Sequence, residues 1–137
     1  MANGSYPTGI NAFMADEFNW VDDDFSVAAV TDDYTCSSAH ETYADIAAFV
    51  IDTGPLDGKE VANSTFYAST VAPGPVIDLG VTATKLIVFR DALPDDAASK
   101  LCFYIDRDAN GMVMYRPGTG AAVPISWADS GIYTIPS

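Results

Sequence analysis

The pattern that most constrains this chain is a series of short apolar segments, each closed by turn residues such as Gly, Pro, Asn or Asp. The segments recur at roughly ten-residue spacing, which is typical of antiparallel sandwiches and barrels. The chain has no strand-helix-strand rhythm of the kind that builds a parallel sheet. The predicted strands are Phe25–Thr31, Phe49–Asp52, Glu60–Thr70, Val76–Leu79, Lys85–Phe89, Leu101–Ile105, Met112–Tyr115, Ala122–Trp127 and Gly131–Ile135.

We therefore expect a mainly β fold, an antiparallel β-sandwich of jelly-roll or immunoglobulin-like type, with one or two short helices in the N-terminal half. The first helix is predicted over Ile10–Trp20, where apolar residues recur every three or four positions. The second is predicted over Thr35–Ala48, where Ser38 and Glu41 have capping-box spacing. Residues 1–9 are small and polar with proline and glycine breaks, which predicts a flexible arm before a single domain over residues 10–137.

The charge balance limits the classes of partner. Nineteen acidic residues against six Lys and Arg give 137 residues a net charge of −13. Phosphate backbones and anionic lipid headgroups repel such a chain, so we expect no nucleic-acid and no membrane partner. Seven Phe, seven Tyr and two Trp argue against acidic disorder. The sequence shows neither an apolar membrane span nor a signal-peptide pattern, which predicts synthesis in the cytoplasm.

The two cysteines, Cys36 and Cys102, lie far apart and lack the spacing of a metal or redox motif. This usage predicts two thiols, mostly buried. A disulfide between them remains an alternative that depends on their separation in the fold.

One motif points toward a metal. Asp106, Asp108 and Asn110, followed by Gly111, match the start of an EF-hand calcium loop, but the twelfth position is Pro117 where that loop needs Glu. A tight hairpin turn is the favoured interpretation, because Asn-Gly accepts the positive φ angles that such turns need. A weak calcium site of another geometry, formed by these three residues, remains an alternative.

Catalytic patterns are weak. His40 is the single histidine, and Cys36, Ser37 and Ser38 lie near it in sequence, but we expect His40 on a helix surface. No spacing singles out a pair of carboxylates, and the acidic runs Asp22–Asp24, Asp32-Asp33 and Asp95-Asp96 are typical of solvated loops. The sequence also has no phosphate-binding glycine loop and no Cys/His metal pattern. We therefore expect no enzyme activity and no cofactor.

Several segments, in order, resemble a family of small virion-associated proteins of tailed bacteriophages. The resemblance covers most of the chain after the first residues, and its most characteristic parts are a strand ending in an Arg-Asp pair and one ending in Tyr-Ile-Asp. The matching segments are Gly9–Phe13, Asp24–Val30, Asp33-Tyr34, His40–Ile46, Leu86–Asp91, Lys100–Asp106, Val123–Trp127 and Gly131–Tyr133.

The resemblance implies a virion structural protein, most plausibly a capsid decoration or cement protein that binds the outer surface of the major capsid protein. The resemblance also implies localisation on the virion, at the capsid surface, and the local symmetry of capsids makes a dimer or trimer on the particle natural. The arm and the segment through Trp20 are predicted to dock on the capsid, while the acidic loops face outward. The predicted partner-binding residues are Tyr6, Pro7, Ile10, Phe13 and Trp20.

Two other classes stay open. The first is a tail or head fibre or receptor-binding module, including a carbohydrate-binding one, because such modules use exposed aromatic platforms. Its candidate platform residues are Tyr43, Tyr67, Tyr115, Trp127 and Tyr133. The second is an enzyme acting on host glycans, which predicts turnover that depends on one pair of carboxylates.

Overall fold

Two antiparallel sheets and one α-helix make up the regular structure in the described part of the chain. A computed structural model describes residues 3–63, 65–71, 74–105, 116–123, 125, 127 and 132–134. The helix is α1, Pro7–Met14, and short 3-10 turns span Tyr43–Asp45, Ala47–Phe49 and Asp96–Ala98. The strands are β1 Asn3–Ser5, β2 Phe25–Thr31, β3 Val50–Pro55, β4 Glu60–Ala62, β5 Thr65–Tyr67, β6 Thr82–Arg90, β7 Leu101–Ile105, β8 Arg116–Pro117 and β9 Tyr133–Thr134.

The larger sheet has the strand order β1-β7-β6-β2-β3, and β8 pairs with the first residues of β6. All its described pairings are antiparallel, and β2 is an interior strand because it pairs with both β3 and β6. Residues Phe25–Val30 of β2 are all buried, so this strand is covered on both faces. Strands covered on both faces carry continuous apolar runs, which explains why the sequence of β2 lacks alternation.

The smaller sheet has the order β4-β5-β9, and its residue Phe66 joins the core on one face of the larger sheet. The rings of Phe66 in β5 and Phe103 in β7 are 5.0 Å apart between centroids. Phe13 of α1 joins both sheets, with ring centroids 4.8 Å from Phe66 and 5.6 Å from Phe25. We call this cluster the first core.

A second core covers the opposite face of the larger sheet. It includes Tyr6, Tyr34 and Ile46, which come from the segments before α1 and after β2. The sheet contributes alternate residues to it, such as Ile87 and Phe89 of β6, while Leu86 and Val88 point to the first core. This alternation is the period of two that a strand imposes on its side chains.

The coarse fold prediction is confirmed: the described chain is mainly β, its sheets are antiparallel, and its α-helix lies in the N-terminal half. None of the helices in the described ranges is long and apolar enough to cross a membrane.

The predicted arm is wrong for residues 3–9. Asn3–Ser5 forms β1 and pairs with β7, while Pro7 opens a helix that ends at Met14 and not at Trp20. Proline fits the first turn of a helix because it lacks only an N–H that would have no partner there. Pro7, which was one reason to predict an arm, is therefore the first residue of α1.

The second predicted helix, Thr35–Ala48, is also wrong as an α-helix. The structure has 3-10 turns at Tyr43–Asp45 and Ala47–Phe49, because Thr42 bridges Lys100 and the Tyr43 N–H donates to the Ser99 carbonyl. Of the predicted C-terminal strands, the described residues Tyr133 and Thr134 within Gly131–Ile135 form β9, and the described residues of Ala122–Trp127 form single bridges at Ala122 and Ile125. Met112–Tyr115 and the hairpin turn at residues 108–111 lie outside the described residues.

Candidate functional site, a polar cleft beside helix α1

Helix α1 forms one wall of an open cleft. Its inner side, with Gly9 and Ala12, is buried against β7. A Cβ on Gly9 would overlap the Leu101 carbonyl oxygen, so glycine permits this close approach of helix and strand. The outer side of the helix exposes Pro7, Asn11 and Met14 to solvent.

The segment 37–41 forms the opposite wall. A turn closed by the His40 N–H and the Ser37 carbonyl leads into Glu41, whose own carbonyl accepts a hydrogen bond of 2.9 Å from the Leu101 N–H. The carboxylate of Asp45 accepts from the Glu41 and Thr42 N–H groups, and these bonds hold its pKa below the usual value. Both walls are thus fixed to the start of β7.

The space between the walls has a volume of about 330 Å³. Small-molecule sites begin at about this size, so the cleft can hold a short ligand or one long side chain. Its lining comes from three separate parts of the chain and contains Pro7, Thr8, Asn11, Ala12, Ala15, Glu17, Ser38, Glu41 and Lys100.

The cleft carries two carboxylates and one ammonium group. Lys100 Nζ lies 3.1 Å from Glu17 Oε2, and both side chains are partly exposed. The Glu41 carboxylate is exposed and has no side-chain partner among the described residues. The charged and polar lining groups offer a bound molecule hydrogen bonds and charge pairing.

A chain of hydrogen bonds ties the two walls together from behind. The Tyr6 hydroxyl lies 2.6 Å from the Tyr34 hydroxyl, which lies 2.9 Å from His40 Nδ1. Tyr6 is 0% exposed and Tyr34 1%. Burial raises the pKa of Tyr34 to about 12, and burial together with the bond to Tyr34 raises the pKa of Tyr6 still further. The prediction that His40 lies on a helix surface is wrong, because His40 is half-buried in a turn and bonded to Tyr34.

The predicted partner-binding residues lie mostly inside the fold. Tyr6 belongs to the second core and Trp20, which is 3% exposed, to the first. Ile10 and Phe13 are half-buried against the first core, so only Pro7 is exposed. The prediction that Tyr6 and Trp20 contact a partner is corrected for this reason: their side chains are covered by the chain itself.

Of the candidate metal and platform residues, the structure describes the side chains of Tyr43, Tyr67 and Trp127. Asp106, Asp108 and Asn110 lie outside the described residues, and the described part of the chain has no group of three or more His, Cys, Asp or Glu arranged to hold a metal. Tyr43 packs on Phe89, and the Trp127 ring N–H donates to the Ser69 carbonyl at 3.2 Å. Tyr67 is half-buried, and the side chains of Tyr115 and Tyr133 are not described.

The side chains of Cys36 and Cys102 are thiols, which confirms the prediction of two thiols over the alternative of a disulfide. Cys102 is buried in the first core, and burial raises the pKa of its thiol. Cys36 is half-buried beside the second core.

The cations whose side chains are described all contact acidic or carbonyl oxygens. Lys85, Arg90 and Lys100 lie within 4 Å of Asp32, Asp23 and Glu17 respectively, and Lys59 donates to the Asp23 carbonyl. Most residues of the predicted acidic loops are exposed, including Asp22, Asp24, Asp32, Asp33 and Asp95. The charged surface formed by the described residues is therefore dominated by carboxylates.

Sequence reasoning missed the cleft itself. One signal was present: Pro7, Asn11 and Met14 recur at the spacing of one helix face, and Asn11 among them is polar. Their relation to Ser38 and Lys100 depends on tertiary pairing and has no sequence signature. Comparison with known protein families, curated proteins and solved structures finds no match for this chain.

Proposed function

We propose that this chain is a virion structural protein of a tailed bacteriophage that decorates the capsid by binding the major capsid protein. The structural observation behind the proposal is a preformed polar cleft on a carboxylate-dominated surface, lined by charged and hydrogen-bonding groups that can bind a partner. The resemblance of several sequence segments to small virion proteins supports the virion as the place where the protein acts.

The proposed docking surface is the outer face of α1 together with the cleft. It replaces the flexible arm that was expected to dock on the capsid. Its walls are fixed by the Gly9 contact, by the Leu101–Glu41 hydrogen bond and by the Tyr6–Tyr34–His40 chain. A preformed surface loses little conformational entropy on binding, which suits a protein that coats a lattice.

The finer fold of the proposal is a β-sandwich. The Phe66–Phe103 contact and the contacts of Phe13 with both rings support it, because residues of both sheets contribute to one packed core. A dimer or trimer on the particle, and a location on the capsid surface, are parts of the same proposal.

Binding to particles stripped of this protein tests the proposal. Asn11→Tyr would fill the cleft from the exposed helix face, and we expect capsid occupancy to fall by about tenfold, as for the loss of an interface hot spot. Thr119→Tyr is the matched control. Thr119 lies near the start of β6 while the cleft lies near its end, about 25 to 30 Å away along the nine-residue strand.

Equal occupancy of the Asn11→Tyr and Thr119→Tyr proteins would place docking elsewhere on the chain and overturn the assigned surface. A quantified protein gel of the virion tests the role itself. A copy number that matches the lattice supports decoration, whereas only a few copies per particle would replace it with a tail or head fibre module.

A further inference from the structure

We propose that the cleft beside α1 binds the guanidinium group of an arginine side chain presented by the partner. The inference rests on the proposed docking function and names the chemistry that this surface recognises.

The charge of the cleft selects a cation. Glu17 and Glu41 supply two negative charges and Lys100 one positive charge, so the lining is negative overall, as is the chain at −13. Glu17 is already paired with Lys100, whereas Glu41 on the opposite wall has no side-chain partner among the described residues. An entering cation therefore finds one carboxylate available and a second that it can share with Lys100.

The hydrogen-bonding groups favour arginine over lysine. The residues that line the cleft carry acceptor oxygens in the Glu17 and Glu41 carboxylates and in the Asn11 amide, and hydroxyls in Thr8 and Ser38. A guanidinium donates five N–H groups in one plane and can reach acceptors on two sides, whereas an ammonium acts as a point charge. Acceptors spread over two walls therefore match the planar fork.

The same lining disfavours a carbohydrate. Sugar sites commonly include an aromatic ring on which the apolar face of the sugar lies, and the described lining contains none. The Tyr and Phe residues directly adjacent to lining residues in sequence pack in or against the two cores: Tyr6, Phe13 and Phe18. The open shape also suits a side chain that enters from a neighbouring protein surface.

Binding of a short peptide, N-acetyl-Gly-Arg-Gly-amide, tests this inference by NMR titration of the backbone amides. We expect saturable shifts at residues that line the cleft, including Asn11, Glu41 and Lys100. The matched peptide with citrulline in place of arginine keeps the shape but lacks the charge, and we expect it to bind at least about fivefold more weakly. Equal binding of the two peptides would overturn the proposal.

Variants of the protein identify the groups. Glu41→Gln is expected to weaken arginine-peptide binding by about three- to fivefold, the range for a partly exposed charge pair. Lys100→Met removes the competitor for Glu17 and is expected to strengthen binding by a similar factor. The control is Glu60→Gln, which removes an exposed carboxylate on β4, outside the cleft, and should change nothing. An equal loss in the Glu41→Gln and Glu60→Gln proteins would show diffuse attraction to an acidic surface and would overturn the site.

The two proposals fail separately. If stripped particles bind the protein but the peptides do not distinguish arginine from citrulline, the arginine site is wrong and the docking function stands. If the cleft binds the arginine peptide selectively but the protein ignores stripped particles, the capsid function is wrong.

Discussion

At the scale of single residues, two buried tyrosines make the stability of this protein sensitive to alkali. Burial raises the pKa of the Tyr34 hydroxyl to about 12, and the pKa of Tyr6 is raised further by burial and by its bond to Tyr34. In an unfolded chain both groups would ionise near pH 10. Their contribution to stability is therefore complete below pH 10 and is lost as the pH rises toward 12.

We expect the free energy of unfolding to fall between pH 10 and 12, which urea titrations at several pH values will measure. Replacing Tyr34 by Phe should flatten this fall and also lower stability at pH 7 by about 1 to 3 kcal/mol, because the Tyr6 hydroxyl loses its partner. Tyr67→Phe is the control at pH 7, where its half-buried hydroxyl should matter by less than about 0.5 kcal/mol. If the free energy of unfolding of the Tyr34→Phe protein falls as steeply between pH 10 and 12 as that of the original protein, the two buried tyrosines do not cause the alkaline sensitivity.

Sequence reasoning at this scale was limited by chemistry that only the fold creates. In the sequence, Tyr6 lies in a polar segment that predicts an arm, and His40 is predicted to lie on a helix surface. Their neighbour Tyr34 lies 28 positions from Tyr6, so no local pattern links the two hydroxyls. The exposed acidic loops were predictable, because a run of Asp carboxylates beside turn residues cannot be buried without a large loss of hydration free energy.

At the scale of elements, the position of α1 depends on one glycine. Alanine normally stabilises a helix relative to glycine by about 0.5 to 1 kcal/mol. At Gly9 the added Cβ would overlap the Leu101 carbonyl and come within 2.6 Å of the Cys102 Cα, so we expect Gly9→Ala to destabilise the protein by about 1 to 3 kcal/mol. Thermal unfolding measures the effect.

The control for Gly9→Ala lies on the other side of the same helix. Asn11 is exposed, and Asn11→Ala should leave stability unchanged or raise it slightly through helix propensity. A stabilising Gly9→Ala substitution would mean that α1 does not sit directly on β7.

The strands were more predictable than the helices for a physical reason. Lys85–Phe89 and Leu101–Ile105 are mostly apolar on both faces. Such continuous apolar runs usually form strands that are buried inside a sheet. For Thr35–Ala48 a capping signal competed with backbone pairing of Thr42 and Tyr43 to the start of β7, and the tertiary pairing won. A local capping pattern carries no information about pairing with residues more than fifty positions away in the sequence.

At the scale of the whole molecule, Phe13 holds the two sheets and the helix together. Its ring lies 4.8 Å from Phe66 in the smaller sheet and 6.0 Å from Phe103 in the larger one, measured between centroids. Phe13→Ala should cost about 3 to 5 kcal/mol, a large share of the 5 to 15 kcal/mol that stabilises a typical domain. Chemical denaturation followed by tryptophan fluorescence will report it, since Trp20 packs in the same core.

Phe13→Leu provides a graded second variant if Phe13→Ala fails to fold, and its cost should be smaller because most of the volume is kept. Met14, the next residue, is 71% exposed, so Met14→Ala should change stability by less than about 0.5 kcal/mol. Similar effects of Met14→Ala and Phe13→Ala would show that the helix does not bridge the sheets.

The pairing of β1 with β7 constrains how the protein is made. Asn3 pairs with Ile105 and Ser5 with Phe103, so the first strand finds its neighbour only after most of the described chain has left the ribosome. Contacts this distant in sequence are slow to form. The edge of the larger sheet and the helix that follows β1 are therefore completed after translation has passed β7, and a truncated product that stops before residue 101 leaves the start of the chain without a place to fold.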